Sequence, residues 1–270
     1  MVCRLTPVHP DSHPPMSVRH LLIKPALVLA AVITAGCAVA GTAQPADFPA
    51  GIVGAGRSTP DVLPSETELS SIVGTAIATR GRFPPSAATL GELPDVLLYS
   101  RVSPVECLGV TVPFDSTTYR NTHARAVAYH SWDNRDAAVQ RPVSFYSMSA
   151  GAFALAAPSN AWALFHKFAD QWQQCRGKST RFYNTPSPDD TLFNIAEVKA
   201  ADAMITAAVI VSDAVKNTPV SLNQRALAVR SNCIVDVEVR QMSWRLGDPV
   251  SADFAVKVAA LMLDKVGLPA

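Results

Sequence analysis

Apolar side chains recur at intervals of three and four residues in two segments of the chain, which is the spacing of one face of a helix. Residues 159–175 predict a helix with Ser159 as its N-cap. Its apolar stripe would face a core and consists of Ala161, Leu164, Phe165, Phe168 and Trp172. Residues 251–266 predict the last helix. Ser65 and Glu68 predict a shorter helix that ends near Val73, because a serine followed three residues later by glutamate forms a capping box.

Shorter apolar stretches separated by turn residues predict strands. Two of them, at residues 124–132 and 142–148, precede the long helix. Four more follow it, at residues 192–198, 204–211, 222–229 and 234–240. The order helix, strands, helix, strands, helix is typical of α+β proteins. We therefore predict an α+β fold with a mainly antiparallel sheet packed with helices.

An uncharged apolar run close to the N-terminus predicts that the chain is exported. The run spans residues 25–35 and follows the basic residues Arg19 and Lys24. It suits the core of a signal peptide and is shorter than the roughly 20 residues that span a bilayer. We expect residues 1–36 to be a signal peptide, and Met16, from which the signal has normal length, to be the start of translation.

A cysteine follows this run at the position where bacterial lipoproteins carry their lipid. Small residues precede Cys37, although Thr34 stands where leucine is usual. An ordinary secretory signal with a nearby cysteine is the alternative. We expect Cys37 to carry a lipid anchor that holds the chain to the extracytoplasmic face of the cell membrane. Residues 37–61, rich in small residues and proline, would form a flexible tether, and residues 62–270 one folded domain.

The charge balance does not resemble that of a nucleic-acid-binding protein. The chain has 23 Lys and Arg residues against 22 Asp and Glu residues. Loss of residues 1–36 removes three basic residues and one acidic residue, so the mature chain stays close to neutral. We expect no nucleic-acid partner.

Three cysteines remain after Cys37, so at most one disulfide forms within the mature domain and one thiol is left over. The pairs Cys107–Cys175 and Cys175–Cys233 would close loops of 68 and 58 residues. The chain entropies of these loops are nearly equal, so loop length does not choose between the pairs.

A set of short motifs occurs in a characteristic order. They are Leu-Pro-Ser-Glu-Thr-Glu-Leu from Leu63, Glu-Cys-Leu-Gly from Glu106 with Pro113 and Tyr119, Trp-Gln-Gln-Cys from Trp172, Gln-Arg-Ala-Leu from Gln224 and Ile-Val-Asp-Val from Ile234. Together they resemble the extracellular sensor domain of PknH-type mycobacterial serine/threonine kinases, and the stand-alone lipoproteins that share it. The resemblance implies an α+β domain with a broad cleft that binds an unidentified ligand. No kinase motif is present in the sequence, so the resemblance does not imply kinase activity.

The resemblance also implies two disulfides. One would join Cys107 to Cys175 and leave Cys233 reduced, packed as a small apolar side chain. The other would fall near Asn223 and Arg240, and both of its cysteines are missing here.

Candidate sites for chemistry are few. His123 and His130 lie seven residues apart without an acidic motif, and we interpret them as surface or edge histidines, with no metal and no cofactor. Asp189-Asp190 reads as a solvated turn, with calcium the alternative. Arg141, just before a predicted strand, and Tyr146, within that strand, are the candidate ligand-binding residues. Arg141 would meet an anionic ligand; the alternative is a surface charge next to a turn.

These features favour a binding function without catalysis. We expect a lipid-anchored envelope domain that captures a small molecule, lipid or glycan fragment in a cleft. The alternatives are a protein-interaction module that docks on an envelope partner and, third, an envelope hydrolase.

Overall fold

The computed structural model describes residues 52–54, 56–80, 86–98, 100–135, 144, 146–184, 190–242 and 253–267. The helices are α1 (Thr59–Val62), α2 (Glu66–Val73), α3 (Leu108–Thr111), α4 (Ser116–Tyr119), α5 (Pro158–Cys175) and α6 (Phe254–Gly267). The strands before α5 are β1 (Ile52–Val53), β2 (Arg57–Ser58), β3 (Ala78–Thr79), β4 (Ser86–Ala88), β5 (Ser100–Ser103), β6 (Ala126–Asp133) and β7 (Tyr146–Ala154). Those after it are β8 (Ser179–Asn184), β9 (Thr191–Ala201), β10 (Met204–Asp213), β11 (Thr218–Arg230) and β12 (Cys233–Met242). Single 3-10 turns lie at Leu90–Glu92, Val96–Leu98 and Val105–Cys107.

One antiparallel sheet organises the domain. Its strands follow the order β3-β6-β7-β12-β11-β10-β9-β8-β5, and β4 also pairs with β6. Strands β1 and β2 form a separate small hairpin. The predicted α+β fold with a mainly antiparallel sheet is therefore confirmed.

The sheet carries a core on each face. Successive residues of a strand point to opposite faces, so Ile234 packs on the side of α5 whereas Val235 packs on the side of α6. Helix α5 buries the predicted stripe, including Phe165 and Trp172, against the first face. Helix α6, with α1 and α2, covers part of the second face. None of the described helices is long and apolar enough to cross a membrane.

The capping box of α2 is present as predicted: the Ser65 hydroxyl accepts from the Glu68 amide, and the Glu68 carboxylate accepts from the Ser65 amide. The predicted N-cap of α5 is wrong. Ala157 occupies that position and Pro158 begins the helix, so Ser159 lies inside the first turn. The reason is that proline has a fixed φ and no amide hydrogen, which suit the first helical position.

The predicted tether is wrong from Ile52 onward. Val53 and Val62 are fully buried in the core on the α6 side. The buried side chain of Asn232 accepts from the Gly54 amide at 2.8 Å and donates to the Ile52 carbonyl at 2.9 Å. This contact joins residues about 180 positions apart, so no local pattern could announce it. The described fold therefore includes residues ten positions before the predicted boundary at residue 62.

Candidate functional site

A buried carboxylate organises the loops at one end of the α5 face. The Asp115 side chain is fully buried and is the N-cap of α4, accepting from the Thr117 amide at 2.9 Å. Its second oxygen accepts from the Val96 amide at 2.8 Å. The Ser116 amide donates to the Pro94 carbonyl at 2.7 Å. Asp115 thus joins the turn Val96–Leu98 to the start of α4.

A groove of about 780 Å³ lies between these two segments. This volume is within the range of small-ligand sites, roughly 300–1,000 Å³. The lining is mostly apolar and consists of Leu90, Gly91, Leu93, Pro94, Asp95, Val96, Leu98, Val112, Ser116 and Arg120. Its two charged side chains form an ion pair, with Arg120 Nη2 at 3.5 Å from Asp95 Oδ2. The groove therefore offers an apolar surface that contains one ion pair.

Helix α4, which forms one wall of the groove, is tied to the sheet by a buried polar network. The Tyr119 hydroxyl donates to Asp236 Oδ2 at 2.7 Å. Arg225 donates to Asp236 Oδ1 at 2.6 Å and to the Val110 carbonyl at 2.9 Å. The Arg225 guanidinium also lies 5.3 Å from the centre of the Trp172 ring. The network connects α3, α4 and α5 with the two central strands β11 and β12.

The protonation states in this network follow from burial and from Asp236. Burial, together with the Asp236 carboxylate, raises the pKa of Tyr119 well above its ordinary value, so the phenol remains a donor. Burial opposes the charge of Arg225, but the carboxylates of Asp236 and Glu238 hold its pKa above the ordinary value. The Arg225 guanidinium therefore stays charged beside Asp236.

A disulfide between Cys107 and Cys175 fixes the C-terminal end of α5, with a Cα–Cα distance of 5.7 Å. The two cysteines are 68 residues apart, so the chain-entropy model gives a stabilisation of at most about 4 kcal/mol. Cys233 is a free, buried cysteine, and burial raises the pKa of its thiol to about 12. The pairing that the resemblance implied is present, and the alternative Cys175–Cys233 pairing is not.

Comparison with known proteins identifies the family. The sequence profile of the PknH-like extracellular domain matches residues 55–265. The chain belongs to this family. A match is found to the crystal structure of the extracellular domain of PknH from Mycobacterium tuberculosis, with 20% sequence identity and a TM-score of 0.61. The match covers 77% of this chain and 94% of the PknH chain. At this identity the likeness shows a shared fold.

A second solved structure, of an uncharacterised protein from Mycobacterium smegmatis, is 12% identical over 77% of this chain and 94% of that chain. Its TM-score is 0.34, so it carries no argument about this domain. The search of curated proteins gave no match.

The motifs that carried the resemblance meet inside this PknH-like domain. Cys107, Tyr119, Trp172, Arg225 and Asp236 all come from them and are all buried. They therefore hold the scaffold of the groove, whereas most of the groove lining lies outside the motifs. The Asp115 N-cap, a sequence signal that could have located one wall, was missed.

The place of the missing second disulfide is occupied by a polar cluster. Asn223 and Arg240 lie directly opposite each other in the β11–β12 register. Asn223 donates to Glu238 Oε2 at 3.0 Å, and Arg240 donates to Glu238 Oε1 at 3.1 Å. Asn223 and Glu238 are both buried. In this PknH-like domain, hydrogen bonds through Glu238 thus join strands where the resemblance implied a covalent link.

The two predicted ligand-binding residues do not form a site in the described structure. Tyr146 is 9% exposed, belongs to the core on the α6 side and packs edge-on against Phe254 with ring centres 5.6 Å apart. It does not line the groove, so the prediction is wrong for Tyr146, because alternation cannot tell which strand positions a second helical layer will cover. Arg141 lies outside the described residues, as does the predicted lipidation site Cys37.

The remaining candidates form no metal site among the described residues. No group of three His, Cys, Asp or Glu side chains there could hold a metal ion. His130 packs edge-on against Trp132, and burial lowers its pKa. Asp190 pairs with Arg181 at 2.8 Å, and Asp189 lies outside the described residues.

Proposed function

We propose that this chain is a binding module of the cell envelope, anchored through a lipid on Cys37 to the extracytoplasmic face of the membrane, which captures a small ligand in the groove and catalyses no reaction. The observation that carries the proposal is the groove itself. It has the volume and apolar character of a ligand site, and its α4 wall is held by a network of buried motif residues.

The mostly apolar lining of the groove supports binding. Asp95 and Arg120, the charged side chains of the described lining, form an ion pair at 3.5 Å. The family, an extracellular domain, supports the proposed location. Docking of an envelope protein on the same groove is the alternative.

The test is native mass spectrometry of the protein isolated from the envelope of a cell that exports it. We expect wild-type protein to carry a small additional mass. Gly91→Trp should remove it, because Gly91 lines the groove and an added Cβ would meet only the Thr89 hydroxyl at 3.9 Å. Gln174→Trp, at an exposed position of α5 outside the groove, should retain it.

Absence of any bound mass in wild-type protein, or its retention by Gly91→Trp, would contradict capture in the groove. Loss of a bound protein rather than a small mass on Gly91→Trp would establish the alternative.

A further inference from the structure

The chemistry of the groove lining restricts the class of ligand. Six of its ten residues are apolar: Leu90, Leu93, Pro94, Val96, Leu98 and Val112. No aromatic ring is among the described lining residues, and Asp95, Ser116 and Arg120 are their only polar side chains. A glycan carries many hydroxyl groups, which would lose hydrogen bonds to water against so apolar a lining. A hydrocarbon chain needs only apolar contact.

Leu98 shows that this apolar surface lacks a cover within the described chain. Its side chain is 72% exposed although it lines the groove. Covering a leucine removes apolar surface from contact with water, which stabilises a complex. An acyl chain lying along the groove would supply that cover.

Arg120 adds a positive charge to the groove lining. Its side chain is 63% exposed, and within the described part of the chain its guanidinium has one ionic contact, with Asp95 at 3.5 Å. A guanidinium has five N–H donors, so several remain directed to solvent. Asp95 is less available, because its other oxygen accepts from the Leu97 amide at 3.0 Å. The guanidinium of Arg120 can thus donate bidentate hydrogen bonds to an anionic group while it remains paired with Asp95.

We propose that the groove takes a single-chain amphiphile with an anionic headgroup, with the hydrocarbon along the apolar lining and the headgroup on Arg120. This inference rests on the proposed function, since it names the ligand class of the same groove. It commits to a carboxylate- or phosphate-bearing chain and against neutral glycans and cationic lipids.

The test is calorimetric titration of the full chain, made without lipidation and with its disulfide oxidised, using probes below their micellar concentrations. Decanoate should bind, and decyltrimethylammonium, with the same chain and the opposite charge, should bind at least about tenfold more weakly. Acetate and inorganic phosphate, which lack the chain, should show no measurable binding. Decyl phosphate should bind like decanoate if phosphate headgroups are also accepted, and fail to bind if the site takes carboxylates alone; either result fits the proposal.

Matched variants test the contacts with the hydrocarbon chain and with the headgroup separately. Leu98→Asp should weaken decanoate binding about tenfold or more, whereas Val215→Asp, at a turn position that is 73% exposed and outside the groove, should leave it unchanged. Arg120→Glu should reverse the preference between decanoate and decyltrimethylammonium. Arg101→Glu, at an exposed strand position outside the groove, should preserve it.

Equal binding of the two charged probes, or decanoate binding that Leu98→Asp and Arg120→Glu leave intact, would overturn the ligand class. Failure of every amphiphile to bind would overturn it as well. The proposed function would survive each of these results if Gly91→Trp still removed a co-isolated small mass, so the two failures are distinguishable.

Discussion

At the scale of single residues, the buried ion pair of Arg225 and Asp236 is the most consequential arrangement. Removal of charges from water is costly, and such a pair is tolerated only when its remaining donors and acceptors are hydrogen-bonded. Tyr119 and the Val110 carbonyl supply those bonds. Loss of a single partner should therefore cost more than the net value of one average hydrogen bond.

Tyr119→Phe tests this directly. The ring should keep its stacking on Phe153, whose centre lies 4.1 Å away, while Asp236 loses one donor. We expect the free energy of unfolding to fall by about 1–3 kcal/mol, measured by urea denaturation. Tyr129→Phe is the control, because that hydroxyl makes a long contact of 3.4 Å at an exposed position, and its loss should change stability by less than about 0.5 kcal/mol. Equal effects of the two substitutions would refute a special role for the network.

At the scale of secondary-structure elements, polar side chains join neighbouring elements at two places. Lys265 of α6 donates to Glu68 of α2 at 2.7 Å and to the Leu63 carbonyl at 2.8 Å. Asn223 and Arg240 similarly meet through Glu238 between β11 and β12. Each of these two contacts leads to a separate prediction about stability.

The α2–α6 contact should give stability a dependence on acid pH. Burial alone would raise the pKa of Glu68, but Lys265 and the Ser65 amide and hydroxyl lower it below its ordinary value of 4.5. A carboxyl group with a lower pKa in the folded state stabilises the fold above the unfolded pKa, and this contribution is lost as pH falls through the folded value.

Lys265→Met should therefore lower the free energy of unfolding by about 0.5–1 kcal/mol at pH 7, the range of a partly solvent-screened pair. The loss should shrink below pH 4.5, where Glu68 becomes protonated. Urea denaturation at pH 7 and pH 3 measures both values. Lys257→Met, on the exposed side of the same helix, should show no such pH-dependent difference.

The β11–β12 contact predicts that the missing disulfide can be introduced. Directly opposite residues of antiparallel strands have Cα atoms about 4.5–5.5 Å apart, which suits a disulfide. Asn223→Cys with Arg240→Cys should therefore crosslink on oxidation, as shown by mass spectrometry of non-reduced peptides. Reduction of the bridge should lower the stability of this variant by up to about 3 kcal/mol.

The control pair is Asn223→Cys with Val239→Cys. Val239 packs on the opposite face of the sheet, so its Cβ points away and no bridge should form. A bridge in the control but not in the predicted pair would show that the β11–β12 register is wrong.

Sequence periodicity predicted the elements whose apolar positions repeat regularly and missed the others for physical reasons. Helix α5 and strands β9 to β12 were identified because their apolar residues alternate with a helical or strand period. Strand β8 was missed because Ser-Thr-Arg-Phe-Tyr-Asn has too few apolar residues to show alternation. Strand β7 was placed too early, since its second half is built from small residues that pack beneath two helical layers.

The groove could not be predicted in the same way. Its walls are joined by backbone amides that donate to Asp115 and by a carbonyl at Pro94, and such bonds leave no periodic pattern. Only the disulfide and the buried motif residues were accessible from the sequence, through the family resemblance.

At the scale of the whole molecule, the central prediction is anchorage at Cys37. Cys37→Ala should release the domain from the membrane fraction or leave the uncleaved precursor, because the thiol that would take the lipid is gone. Fractionation and gel mobility of the exported protein measure both outcomes. Ser58→Ala, within the folded hairpin, is the control and should fractionate like wild type. A Cys37→Ala protein indistinguishable from wild type would rule out the lipid anchor.

The bonds from Asn232 to Ile52 and Gly54 would limit how far the domain can extend from the proposed lipid on Cys37. Ile52 is held to the domain and lies 15 residues after Cys37, and a chain of that length spans at most about 50 Å. A fold beginning at residue 62 would have allowed about 85 Å. The difference of ten residues matters for encounter: with the proposed anchor, the domain would reach only the layer of the envelope next to the membrane. A domain anchored in this way would meet only molecules that come to that layer, and binding partners fixed farther out would be beyond its reach.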